Sequence, residues 1–128
     1  MKAIFINEDN GLAFAHWIAE RKKLYETRTK NTLLPCVGER VALCSTRHGK
    51  APEIVGYADI VNYFFCNSYL FEMYRAETMI PKDSKYNKFG TRDGIPGKWF
   101  YEMANAETCK PHPLPSSAIR HGRSWCEF

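Results

Sequence analysis

The stretch Lys23-Leu24-Tyr25-Glu26-Thr27-Arg28 decides how this chain is interpreted. It follows a segment, residues 10–19, whose apolar side chains recur at helical spacing. The stretch itself combines aromatic and β-branched residues, which favours a strand. On a strand Glu26 and Arg28 point to the same face, about 7 Å apart. Lys23 has the opposite parity, so we expect it to join them only if the chain bends where the helix ends.

A bend at that point would bring an ammonium, a carboxylate and a guanidinium to one site. Lys23 and Arg28 can then bind a phosphate or a carbonyl group, while Glu26 accepts a hydrogen bond from a base or a sugar. Thr27 is expected on the opposite strand face. The alternative is that Glu26 and Arg28 pair with each other or with cross-strand neighbours and only stabilise the sheet. The residues alone favour neither interpretation.

The remainder of the chain predicts many strands and few helices. Residues 67–80 are predicted as a second helix, because tyrosine, leucine and methionine side chains recur there at helical spacing. Residues 81–97 are predicted as a long polar loop and residues 110–117 as an extended linker. Gly56 is expected to mark a bulge or a close approach within its strand. The other predicted strands are residues 2–7, 39–46, 53–66, 98–105 and 123–128, an arrangement that favours a mostly antiparallel sheet or a small barrel.

Length and composition indicate one domain spanning residues 1–128. Of the 128 residues, 45% are hydrophobic and 25% are charged. These values lie near the globular averages and exclude intrinsic disorder, collagen-like repeats and coiled coil. No apolar run approaches the ~20 residues of a membrane span, and the apolar start is too short for a signal peptide. We therefore expect a soluble, cytoplasmic protein with no membrane partner.

Charge and cysteine content leave the class of partner open. The net charge of +4 permits contact with nucleic acid without requiring it. The five cysteines show no CxxC spacing and the four histidines are scattered, so we predict no metal and no organic cofactor. Basic residues in the predicted loop alternate with aromatic ones, which suits either a solvated loop or an arm that follows a phosphate backbone. These basic residues are Lys82, Lys85, Lys88 and Arg92.

The quoted stretch, the helix before it and the strand after it resemble the ASCH family, a branch of the PUA-like superfamily. The signature of that family is a G-x-K-x-x-E-x-R stretch that enters a β-barrel. Val55–Ile60 and Trp99–Glu102 are similar to later segments of the family. Arg21 departs from the signature, because it stands where the family has glycine, the residue that enters left-handed backbone geometry freely. The resemblance implies an α+β domain, a PUA-like small mixed or antiparallel β-barrel flanked by about two or three helices.

The same resemblance implies a function for the quoted residues. PUA-like domains recognise RNA or modified bases, so a cleft formed by Lys23, Glu26 and Arg28 is expected to bind RNA or a nucleoside-like small molecule. Ser45 and Thr46, at the end of the next strand, are expected to complete the cleft, although they also fit as ordinary turn residues. Trp99 is expected either to stack on a base or to belong to the core.

Two further functions remain open at this point. Some ASCH proteins resemble small amidohydrolases that act on acylated cytidine, and others are linked to RNA cleavage. Their signature lysine matches Lys23, but Glu26 occupies the position of their threonine. As catalytic residues we would name Lys23 and Glu26, with Glu72 or Glu77 as the assisting acid. The second alternative is an accessory interaction domain, and the sequence determines neither turnover nor oligomeric state.

Overall fold

Eight strands form one hydrogen-bonded sheet in the computed structural model, which describes residues 1–128. The strands follow the order β2-β6-β4-β3-β1-β8-β7, and β5 pairs with β6. The β1–β3 pair is parallel and every other pair is antiparallel. The fold is therefore mixed α+β. The strands are β1 Lys2–Asn7, β2 Tyr25–Arg28, β3 Arg40–Thr46, β4 Glu53–Asn67, β5 Gly90–Arg92, β6 Ile95–Pro113, β7 Ile119–His121 and β8 Trp125–Glu127.

The sheet is curved but is not a closed barrel. Its ladder begins at β2 and ends at β7, and no backbone pairing joins β2 to β1. The two strands nevertheless approach each other, because the guanidinium of Arg28 donates a hydrogen bond of 2.6 Å to the carbonyl oxygen of Phe5 in β1. A side chain thus spans a gap that a ladder would otherwise fill. The predicted barrel is not confirmed.

A first helix, α1 (Phe14–Ala19), packs its buried side chains on the sheet. The helix comes close because β4 carries Gly56 at the contact. A Cβ atom at that position would lie 2.6 Å from the Cβ of Ala19 and 2.4 Å from the carbonyl oxygen of Glu107. The pairing of β4 with β6 also shifts register between Ile54 and Gly56. The bulge and the close approach predicted at Gly56 are both confirmed.

The helices are shorter than predicted. Residues 10 and 11 have φ values of 58° and 76°, so α1 cannot start before them and begins only at Phe14. The predicted helix 67–80 is three short pieces: α2 (Ser68–Phe71), a 3-10 turn (Glu72–Tyr74) and α3 (Arg75–Thr78). No helix has both the length and the apolar character needed to cross a lipid bilayer.

Two predicted loops contain strands. Within residues 81–97, β5 and the start of β6 form a hairpin whose turn residues, Asp93 and Gly94, have φ values of 51° and 79°, as a primed turn requires. The predicted linker 110–117 begins as strand, because β6 continues to Pro113. Proline is tolerated there because this end of β6 pairs only with β4 and needs no donor on its other edge.

Candidate functional site

A cavity of about 210 Å³ lies where β1 and β2 approach without pairing. That volume has room for about seven water molecules. Part of the wall comes from β1, β2 and α1, and part from segments much later in the chain. The lining residues are Phe5, Ile6, Asn7, Phe14, Lys23, Glu26, Thr27, Arg28, Thr29, Ile80, Tyr86, Lys88, Lys98 and Arg123.

The bend on which the predicted site depends is present between α1 and β2. The backbone N–H groups of Lys22 and Lys23 both donate to the carbonyl of Trp17, at 2.8 and 3.1 Å. The N–H of Leu24 then donates to the carbonyl of Glu77 at 2.8 Å. These bonds turn the chain at the end of the helix and direct the Lys23 side chain into the cavity.

Lys23 is almost completely buried, with 1% of its surface exposed. Its Nζ donates to the carbonyl of Thr78, lies 4.0 Å from Oε1 of Glu26 and lies 4.7 Å from the centre of the Phe14 ring. An ammonium has three N–H donors, and the Thr78 carbonyl is its one hydrogen-bond acceptor in this structure. Burial lowers the pKa of Lys23 to about 8, although the charge of Glu26 acts in the opposite direction.

Glu26 is buried beside Lys23 and Arg28. We call the buried part of the cavity around Glu26 and Lys23 the floor. Its Oε2 accepts a hydrogen bond of 3.0 Å from Arg28, and its Oε1 accepts one of 3.2 Å from the backbone N–H of Thr27. Glu26 and Arg28 therefore do pair with each other, as expected if the two residues only stabilise the sheet. Since the pair also lines the cavity, the two interpretations are not exclusive.

Three solved structures of an ASCH protein from Zymomonas mobilis superpose on this chain. The crystal structure of that ASCH protein has a TM-score of 0.68 and 20% identity, and the match covers 88% of this chain and 73% of the other. A serine-to-alanine mutant of that protein has a TM-score of 0.72 and 16% identity, and the match covers 99% of this chain and 87% of the other. A tyrosine-to-phenylalanine mutant has a TM-score of 0.65 and 19% identity, and the match covers 88% of this chain and 75% of the other. The chain has the ASCH fold. No family model and no curated protein matches it in sequence.

The position at which this chain departs from the ASCH signature still has left-handed backbone geometry. Arg21, which stands in place of the glycine, has a φ of 64°. A side chain in this region costs roughly 1 kcal/mol. The Nε of Arg21 donates a 2.7 Å hydrogen bond to the carbonyl of Ala106 in β6, which offsets part of that cost. The bend is thus compatible with arginine.

Sequence reasoning missed Lys98, a second buried lysine in the cavity of this ASCH fold. It is 4% exposed, and its Nζ donates to Oγ1 of Thr27 at 3.0 Å and to the carbonyl of Tyr86 at 2.7 Å. Burial lowers its pKa to about 8, against the charge of Glu26 and with the help of Lys23. Strand alternation could have predicted its burial, since Lys98 lies on the same strand face as the core residue Phe100.

Thr27 also lines the cavity, although the regular register of β2 places it on the opposite strand face from Glu26 and Arg28. Its Oγ1 accepts the hydrogen bond from Lys98, and its side chain is among those that line the cavity. Because β2 is the last strand of the ladder, the cavity surrounds its free edge, and residues from both faces of the strand line it. A hydroxyl is therefore present one residue after Glu26.

The three remaining predicted binding residues do not line the cavity. Ser45 donates its hydroxyl proton to the buried carboxylate of Glu8. Thr46 donates a 2.6 Å hydrogen bond to the side-chain oxygen of Asn7, which does line the cavity. Trp99 packs against aromatic neighbours on β4, with its ring centre 5.5 Å from that of Phe65.

Neither predicted acid reaches the cavity with its side chain. Glu72 is exposed and forms ion pairs with Arg75 and Lys82. Glu77 contributes through its backbone carbonyl, which accepts from Leu24 at the bend. Glu26 is the one carboxylate that lines the cavity. Nor does the structure gather three histidine, cysteine or acidic side chains that could hold a metal ion.

Glycine and alanine substitutions at Arg21 test the bend. Both remove the hydrogen bond to Ala106, but only glycine relieves the positive φ. We expect Arg21→Gly to be more stable than Arg21→Ala by roughly 0.5–1 kcal/mol in urea unfolding. The matched control is Lys22, whose φ is not positive and where glycine should be the less stable substitution. If glycine is less stable than alanine at both positions, the left-handed turn is wrong.

Proposed function

We propose that this domain binds RNA or a modified nucleoside, with one base or nucleoside entering the cavity at a time. The cavity volume of about 210 Å³ is below the ~300–1,000 Å³ of drug-sized sites, so it suits a single such group and not a duplex. The observation that carries the proposal is Glu26, a buried acceptor held between basic side chains at the floor of an open cavity.

The floor residues have complementary roles toward a base. Glu26 accepts a hydrogen bond from an exocyclic amine or a ring N–H, as carboxylates do for cytosine. Lys23 has N–H donors without an acceptor and can donate to a base carbonyl. Because Lys23 is buried, we assign it to the base and not to a phosphate. The remaining charge of Glu26 is balanced by Arg28, which is also tied to Phe5.

Aromatic rings in the cavity wall supply the stacking surface. Phe14 and Tyr86 line the cavity, and their ring centres lie 5.3 Å apart in an edge-on arrangement. Stacking on such rings is tolerant of base identity. We therefore assign base stacking to Phe14 and Tyr86 and not to Trp99, which does not line the cavity. An unpaired or extruded base fits the arrangement, since single-stranded RNA presents bases that can leave the stack.

A binding titration tests this function. We expect the protein to bind single-stranded RNA or nucleosides, including acylated cytidine, at low salt, and its affinity for RNA to fall as salt rises. Glu26→Gln should weaken binding about tenfold or more, because it replaces a charged acceptor. Glu72→Gln is the matched control, since it changes the same charge outside the cavity. Binding of neither ligand, or an undiminished affinity in Glu26→Gln, would refute the proposal.

One observation also favours a hydrolase. With its pKa near 8, roughly a tenth of Lys23 is an unprotonated amine at pH 7. Such an amine can take a proton from water as the oxygen attacks an acyl carbon, and return it to the departing nitrogen. Glu26 is the carboxylate placed to orient that substrate, and Thr27 supplies a nearby hydroxyl. Glu72 and Glu77 have no part in this scheme.

Turnover assays separate the hydrolase from a binding module. Acylated nucleosides and labelled single-stranded RNA are incubated with the wild type and with Lys23→Ala. If the domain is a hydrolase, turnover should rise as the pH approaches 8, where the amine loses its proton, and should be abolished in Lys23→Ala. Lys22→Ala, at the neighbouring exposed lysine, is the control. Turnover that survives Lys23→Ala would contradict the assignment of this base.

A further inference from the structure

Two cations at the entrance of the cavity have no acidic partner. Lys88 and Arg123 both line the cavity and are both exposed, and neither forms an ion pair within the chain. The other lysines of the same loop are neutralised: Lys85 lies 3.2 Å from Asp9 and Lys82 lies 3.7 Å from Glu72. The lack of an acidic partner thus distinguishes Lys88 from the other lysines of its segment. We call Lys88 and Arg123 the rim.

The rim residues are held in place by separate elements of the fold. The loop that carries Lys88 is fixed by Tyr86, whose carbonyl accepts from Lys98 at 2.7 Å and whose hydroxyl donates to Asp9 at 3.4 Å. Arg123 lies in the turn between β7 and β8. The next residue in that turn, Ser124, accepts a 2.9 Å hydrogen bond from the N–H of Phe5, which joins the turn to the β1 wall.

Charge in the cavity is divided between floor and rim. Five basic side chains and one carboxylate line it, a formal excess of four positive charges. If the two buried lysines were both neutral, an excess of two would remain. Glu26 needs a hydrogen-bond donor on the ligand, so the ligand group at the floor is not the anion. The excess positive charge therefore calls for an anionic group at the exposed end of the ligand.

We propose that Lys88 and Arg123 form a phosphate subsite, so that the ligand is a nucleotide and not a free nucleoside. This inference rests on the proposed function, because it assumes that a base occupies the floor. A guanidinium binds phosphate oxygens in a fork and an ammonium acts as a point charge, which suits a phosphate between two elements. The phosphomonoester of a mononucleotide and the phosphodiester of an RNA strand share this chemistry.

Calorimetric titration of ligands that differ only in phosphate tests the subsite. The series contains a nucleoside, its 3′- and 5′-monophosphates and the corresponding dinucleotide, at low salt. The phosphate-bearing ligands should bind about ten- to a hundredfold more tightly than the nucleoside. A preference for one monophosphate identifies a free phosphate as the natural group, and a preference for the dinucleotide identifies a strand.

A double variant connects that preference to the rim. In Lys88→Gln/Arg123→Gln the ratio of phosphate-bearing to nucleoside affinity should fall toward one. Lys50→Gln/Lys110→Gln, which removes the same charge from exposed positions outside the cavity, should keep the ratio. Nucleoside binding without any phosphate preference overturns this inference and leaves the proposed function standing. A preference that persists in the rim variant also overturns it, and binding of no ligand overturns both.

Discussion

Two lysine side chains buried beside one carboxylate are the constraint on which the site depends. Lys23 and Lys98 are held in the gap between β1 and β2 by the backbone carbonyls of Thr78 and Tyr86. Burying an ammonium is costly unless its charge is balanced. Glu26, on the edge strand, offsets part of that charge. The chain thus keeps a polar, charged pocket where a closed ladder of strands would have continued the core.

This arrangement explains why the sheet stays open. If β2 paired with β1 through its backbone, the two strands would occupy the space that the cavity now takes. Instead Arg28 spans the gap with its guanidinium, and the cavity lies beside that contact. The backbone acceptors for both lysines, Thr78 at the end of α3 and Tyr86 in the loop that follows it, lie far from β1 and β2 in the sequence. The site therefore requires the whole fold and not the ASCH-like motif alone.

The sequence was sufficient for the parts of the fold that local patterns determine. The strands predicted at residues 2–7 and 53–66 follow from continuous β-branched and aromatic residues, whereas the bend before β2 was a condition of the predicted site that residue patterns did not decide. The hairpin at residues 90–97 was missed because its polar composition conceals a turn at Asp93 and Gly94. The cavity role of Lys98 could not be predicted, since its partners lie up to 71 residues away.

Family resemblance and physical reasoning contributed different parts of the site. The motif pointed to Lys23, Glu26 and Arg28, and the structure brings all three to one cavity. Choices made from sequence position alone, namely Ser45, Thr46, Trp99 and the two helical acids, lie outside it. Those choices depended on which strand ends meet. Residue patterns do not predict the strand order of this sheet or its parallel β1–β3 pair.

Direct NMR titration of the lysine side-chain amines tests this account most directly. The burial of Lys23 and Lys98 predicts that each loses its proton near pH 8, well below the ordinary lysine pKa of 10.5. Since Glu26 raises both pKa values, both should fall further in Glu26→Gln, whereas the pKa of Lys85, which is raised by Asp9 outside the cavity, should not change. Two buried lysines that titrate at the ordinary value and ignore Glu26→Gln would contradict the account.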